Sequence, residues 1–228
     1  LVIIVIIIGL VAYASRAVLF RPWTARSHIA AVSDNNLVYT FGGLDRHNIP
    51  LQEVLRIDLE GRTIKRIGEF PAPRYAAAAA MEGDTIYVAG GYDNKRYYTE
   101  VLAFNTKKKR FTKLGDLPEP RSYGVLAAYG GRLYYFGGWN GKEISDTIIE
   151  MELESGAVRQ LPGLTEALQF QTAVQDGRNL YLYGGEKKNL EYNDVFYIVD
   201  LETLNVSGRC RLPVGLVRSP AAVSGERV

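Results

Sequence analysis

Residues 120–138 read PRSYGVLAAYGGRLYYFGG: a Pro-Arg pair, an apolar run, the doublet Gly130-Gly131, a second apolar run, and the doublet Gly137-Gly138. Two apolar runs joined by two glycines read as an antiparallel hairpin, because glycine tolerates the positive φ of tight hairpin turns. The second run, LYYF, is apolar at every position, as expected of a strand covered on both faces.

The same arrangement recurs on either side. Gly-Gly doublets begin at Gly42, Gly90, Gly137 and Gly184, at intervals of 48, 47 and 47 residues. Arg26, Arg74 and Arg121 each stand sixteen residues before a doublet, Leu168 holds that place in the fourth copy, and Arg218 is read as opening a fifth. After each of these positions comes a first strand: SHIAAV, YAAAAAM, SYGVLAAY and QFQTAV. A turn follows, then a second strand that ends at the glycines: LVYTF, TIYVA, LYYF and LYLY. A variable loop leads to a third strand, EVLRIDL, EVLAFNT, DTIIEMEL and DVFYIVDL. A fourth strand closes each copy before Pro71, Pro118, Pro162 or Pro213, since proline cannot donate to a ladder. Four strands per unit of about 45 residues is the pattern of propeller blades.

The Gly-Gly doublet closing the second strand, the Pro-Arg before the first and the aromatic Phe111 in a fourth strand resemble the kelch repeat. The aromatic match is partial, since Ile64, Val158 and Val206 stand at that place in the other copies. The resemblance covers residues 24 to 228 and implies an all-β, kelch-type β-propeller. About four four-stranded blades are expected at 24–72, 73–119, 120–166 and 167–216, with a partial fifth at 217–228. On that reading the chain is a fragment of a larger propeller.

The repeated positions are expected to be scaffold: Arg26, Arg74, Arg121 and Arg218, with Gly42, Gly43, Gly90, Gly91, Gly137, Gly138, Gly184 and Gly185. Glycine fits where blades meet backbone to backbone. An arginine in the same slot of successive blades is expected to satisfy carbonyls of its neighbour. Positions that differ between copies are the candidates for recognition. After the arginine slot stand His28, Tyr75, Tyr123 and Phe170; after the glycines stand Tyr92, Trp139 and Glu186; the loops add Arg46, Arg96 and Asn140. An antiparallel blade puts all of these at one end, around the central mouth. Aromatics with arginines and amides suit a protein or peptide partner, and also sugar rings.

Some kelch-like propellers are enzymes. The galactose-oxidase type holds copper with tyrosines, histidines and a cysteine-linked tyrosine. Only two histidines, His28 and His47, and one cysteine, Cys210 in a fourth strand, are present, so that resemblance does not extend to the copper site. A second group resembles sialic-acid mutarotases, for which Arg46, Arg96 and Glu186 are the candidates. The primary reading is a non-enzymatic binding module with no metal and no cofactor. A carbohydrate-binding or carbohydrate-active protein of the same fold is the alternative.

Residues 1–14, LVIIVIIIGLVAYA, carry no charge. As a helix, residues 1–20 would span about 30 Å, the thickness of a bilayer's hydrocarbon core. Ala12-Tyr13-Ala14 also fits the small-x-small pattern of a signal cleavage site. The stretch is therefore expected to be a transmembrane helix or a signal peptide, with more chain before it, and the propeller to be membrane-anchored or secreted. Lys plus Arg number 27 against 25 acidic residues, and a net charge of +2 gives no reason to expect nucleic acid as partner.

Overall fold

The computed structural model describes residues 25–163 and 166–218. The apolar run 1–20 and most of the expected fifth copy lie outside the described residues. Among the described residues no helix is long and apolar enough to cross a membrane.

Among the described residues sixteen strands form four antiparallel sheets, each a meander in chain order. The first blade holds β1 (Ala30–Asp34), β2 (Leu37–Phe41), β3 (Glu53–Asp58) and β4 (Thr63–Glu69). The second holds β5 (Ala78–Glu82), β6 (Thr85–Ala89), β7 (Glu100–Asn105) and β8 (Arg110–Asp116). The third holds β9 (Val125–Tyr129), β10 (Arg132–Phe136), β11 (Ile148–Glu152) and β12 (Val158–Leu161). The fourth holds β13 (Thr172–Asp176), β14 (Asn179–Tyr183), β15 (Val195–Asp200) and β16 (Asn205–Arg211). The described residues thus form four blades of a β-propeller.

Each first hairpin turns through two residues, with Asp34 opposite Leu37, Glu82 opposite Thr85, Tyr129 opposite Arg132 and Asp176 opposite Asn179. The first turn residue is Asn35, Gly83, Gly130 or Gly177, at φ between 50° and 59°, the conformation that Asn and Gly tolerate.

The first strands begin later than their apolar runs suggest. Ser27, Tyr75, Ser122 and Gln169 make isolated bridges to Leu44, Tyr92, Trp139 and Glu186. The regular strand starts only after a left-handed residue: His28, Ala76, Tyr123 or Phe170, at φ 53°, 54°, 58° and 57°. A left-handed residue cannot sit in a ladder, so the apolar run is split in two.

The core lies between blades. One cluster joins the first blade to the second through Tyr39, Phe41, Val54, Ile86, Val88 and Phe104. Phe111 stacks there on Phe70, with ring centroids 5.1 Å apart. Further clusters join the second blade to the third and the third to the fourth. Strands β2, β6, β10 and β14 pack apolar side chains on both faces, which explains their lack of alternation.

The glycine doublets mark the blade junctions. Gly43 N donates to Arg74 O (3.0 Å), Gly91 N to Arg121 O (2.7 Å), Gly138 N to Leu168 O (2.8 Å) and Gly185 N to Leu216 O (2.7 Å). A Cβ on Gly42 would lie 2.2 Å from Arg74 O, and one on Gly90 2.1 Å from Arg121 O. These bonds fix the register of the repeat and correct one position. The slot that the sequence reading gives to Arg218 belongs to Leu216.

The arginine side chains also act differently from expectation. It is the main-chain oxygen that reaches the neighbouring blade. The guanidinium turns into its own blade. Arg74 Nη2 donates to Glu100 (2.6 Å), Nη1 to Gly90 O (3.3 Å), and its guanidinium lies 3.8 Å from the Tyr98 ring centre. Arg26 pairs with Glu53. Arg121 meets Thr147 Oγ1 (2.6 Å) and Glu119 (2.7 Å). The opposite slot in the third strand reads Glu53, Glu100, Thr147 and then Val195. The fourth blade has therefore replaced both members at once, with buried Leu168 and Val195. There Asn193 donates to Gly184 O (3.1 Å), the counterpart of the bond from Arg74 to Gly90 O.

Candidate functional site

The four inner strands, β1, β5, β9 and β13, surround the axis, and the left-handed residues ring one end of it. Their backbones are linked in series. Ala76 N donates to His28 O (2.9 Å), Tyr123 N to Ala76 O (3.0 Å), Phe170 N to Tyr123 O (2.8 Å) and Arg218 N to Phe170 O (3.3 Å). The ring is thus His28, Ala76, Tyr123, Phe170 and Arg218. The sequence reading put Tyr75 in this ring. The first interval is 48 residues and the next two are 47, so the true counterpart is Ala76, and Tyr75 lies one residue earlier, against Tyr92.

A continuous band of rings lies over this end. Tyr97 stacks on Tyr92 at 4.2 Å and 16°. Tyr92 meets Tyr75 edge-on at 5.5 Å, Tyr75 meets Tyr123 at 6.3 Å, and Tyr123 packs on Phe170 at 4.4 Å. His28 stands 6.0 Å from both Tyr75 and Tyr123. The Arg218 guanidinium caps the band, 4.0 Å from the Phe170 ring centre. The side chain of the supposed scaffold arginine is therefore part of the mouth.

Beneath the band opens a cavity of about 570 Å³ whose walls include His28, Ala76, Tyr123, Phe170, Gln171 and Arg218. Burial, then the positive charge of Arg218, holds the His28 imidazole below its usual range. Burial pushes the Tyr75 phenol far up, and the neighbouring Tyr123 adds to the rise. Tyr123 is raised too, chiefly by burial. Both stay neutral phenols, and the Tyr75 hydroxyl donates to Asn94 Oδ1 (3.0 Å).

The remaining candidates do not converge on this cavity. Asn140 shapes its own loop: Oδ1 accepts the amides of Lys142 (3.0 Å) and Glu143 (2.8 Å), and Nδ2 donates to Glu119 (3.0 Å). Trp139 is half-buried and bridges Ser122 and Ile144. Glu186 accepts from Gln169 Nε2 (2.8 Å). Arg46 donates to His47 (3.0 Å), and Arg96 lies over the Tyr98 ring at 4.6 Å. Arg46, Arg96 and Glu186 thus sit on three different blades, each with a local partner. Among the described residues no group of three His, Cys, Asp or Glu side chains is placed to hold a metal. The sequence reading leaves Ala76 and Gln171 out of the site, and neither has a legible signal.

Fold and mouth define a repeat propeller with an aromatic-lined opening. A family model described as the KLHDC2/KLHL20/DRC7 Kelch-repeats domain matches residues 27–205. The chain belongs to the Kelch-repeat family. Among solved structures, one titled "Structure of YjhT" is similar in fold, at TM-score 0.69 and 18% identity, over 86% of this chain and 69% of that one. No curated protein sequence matches the chain.

Proposed function

We propose that this propeller is a binding module that holds a protein or peptide partner across its loop-bearing mouth. One observation carries the reading: five rings, Tyr97, Tyr92, Tyr75, Tyr123 and Phe170, run unbroken across that end of the axis. Tyr and Arg are enriched among the residues that dominate interface energetics, and Tyr buries much area at small entropic cost. The band lies on the end where the blades differ most, while the junction glycines are common to all four. Membership of the Kelch-repeat family agrees with a protein partner. The uncharged run 1–14 supports display of the propeller beyond a membrane, as an anchored or exported domain.

A peptide library and a glycan array probed side by side with the 228-residue chain test the reading. Selected peptides that lose binding in Phe170→Ala support it. Ala76 already occupies the same left-handed position, so that variant keeps the backbone. Glycan binding or sugar turnover that depends on Arg96, with no peptide selected, would favour the carbohydrate alternative. Recovery of the chain in the soluble fraction alone, from cells that export it, would remove the anchor.

A further inference from the structure

The loops between second and third strands form one linked rim above the band. Asn94 Nδ2 donates to Asn48 O (3.1 Å), joining the second loop to the first. The Tyr97 ring covers Gly141, where a Cβ would lie 3.2 Å from it, joining the second to the third. Lys188 pairs with Glu143 (3.1 Å), joining the fourth to the third. A rim tied at three places needs little ordering on binding.

The charges on this rim have unequal duties. Asp45 Oδ1 accepts the amides of His47 (2.8 Å) and Ile49 (2.9 Å). Asp93 Oδ1 accepts those of Lys95 (2.9 Å) and Arg96 (2.8 Å), and Oδ2 accepts the Tyr98 hydroxyl (2.8 Å). These carboxylates are spent within their own loops, as the neutral Asn140 is in the third blade. Glu143 is held by Lys188 and Glu186 by Gln169. The cations at the apices, Arg46, Lys95, Arg96 and Lys142, are exposed; Arg96 stays within 4.0 Å of Asp93 Oδ2 but keeps two-thirds of its side chain in water. In the fourth loop Lys187 pairs with Glu166 and Glu191 lies alongside, which confines the cationic stretch to blades one to three. Among the described residues no carboxylate lines the cavity below.

From this we infer that the rim selects an acidic polypeptide segment, with Asp or Glu side chains across the apices of blades one to three and apolar side chains on the ring band. The inference rests on the proposed use of the mouth as a protein- or peptide-binding site. Charges at the rim act mainly on encounter and specificity and are screened by salt.

Three fluorescein-labelled peptides of one length test it, each with central Trp and Leu residues flanked by Glu, Gln or Lys, by anisotropy with the 228-residue chain. The Glu peptide is expected to bind roughly tenfold tighter than the Gln peptide at low salt, and the margin to shrink to about threefold or less at roughly 300 mM salt. The double variant Lys95→Glu/Arg96→Glu, with its far-ultraviolet spectrum unchanged, is expected to reverse the order toward the Lys peptide. Equal binding of the Glu and Gln peptides, both lost in Phe170→Ala, would overturn the acidic preference and leave the mouth reading standing. Glu-peptide binding lost in the rim variant and untouched by Phe170→Ala would uphold the acidic preference and count against the ring band. Failure of the Glu peptide to bind at all would overturn the inference.

Discussion

Replacing Arg74 by leucine tests whether the buried arginines serve as junction scaffold. Arg74 is 1% exposed and meets Glu100, Gly90 O and the Tyr98 ring. Its removal leaves a carboxylate and a carbonyl without their donor. Breaking a buried ion pair costs about 3–5 kcal/mol. Glu100 keeps about a quarter of its side chain in water, so the lower end applies, roughly 3 kcal/mol. The fourth blade shows how the loss is offset, since buried Leu168 and Val195 hold the two slots there and Asn193 donates to Gly184 O. Arg74→Leu/Glu100→Val should therefore return to within about 1–2 kcal/mol of the starting stability, because a packed apolar pair often equals a buried ion pair while Gly90 O stays without its donor. The coupling energy, read from a double-mutant cycle in urea at constant m-value, is the Arg74→Leu loss plus the Glu100→Val loss minus that of the double variant, and should be at least about 1 kcal/mol. A double variant as unstable as the sum of the two singles would refute the reasoning.

Three further outcomes follow from named contacts. Gly90→Ala should cost about 3 kcal/mol or more, since its Cβ would lie 2.1 Å from Arg121 O at φ +68°. Gly83→Ala, at a similar φ with nothing within 4 Å, should cost only about 1 kcal/mol; equal urea midpoints for the two would contradict the junction assignment. The His28 imidazole is held below its usual value of 6.5, so its neutral form is favoured in the fold. Its contribution to stability is complete above that value and falls as pH drops toward the lowered pKa. An NMR titration should place the midpoint below 6.5, moving up in Arg218→Ala but not fully, because burial is the larger cause. Asp93→Ala should loosen its loop by roughly 1–3 kcal/mol, while Asp93→Asn keeps the Oδ1 acceptor and most of the order. Amide exchange at Lys95 and Arg96 reads the difference, and equal protection in both variants would contradict the cap.

The blades were legible because their constraint is local and repeated. Only glycine fits where Gly42 and Gly90 meet a neighbour's carbonyl, so the doublets recur in register. The strand starts were less legible, because a left-handed His28 or Tyr123 leaves no mark in an apolar run. The site is read one residue out at Tyr75 because an aromatic directly after Arg74 draws the eye from the constant two-residue offset that His28, Tyr123 and Phe170 keep from their slot residues. Arg218 looked like a fifth slot arginine for a similar reason: its identity matched while its register did not. Asn140 looked like a recognition amide because nothing in its type tells whether Oδ1 faces a ligand or the two amides that follow it. Those two amides are a property of the loop backbone, which the sequence alone does not display.

The central claim is that the ring band at the mouth seats the partner. The most direct measurement is the affinity of library-selected peptides for the starting chain, Tyr123→Ala, Phe170→Ala and Tyr192→Ala, the last an exposed ring on the fourth loop outside the band. Losses of about tenfold or more are expected in the first two variants, since truncating an interface aromatic typically costs more than about 1 kcal/mol, with an unchanged affinity in the third. Unchanged affinity in Tyr123→Ala and Phe170→Ala would contradict that claim.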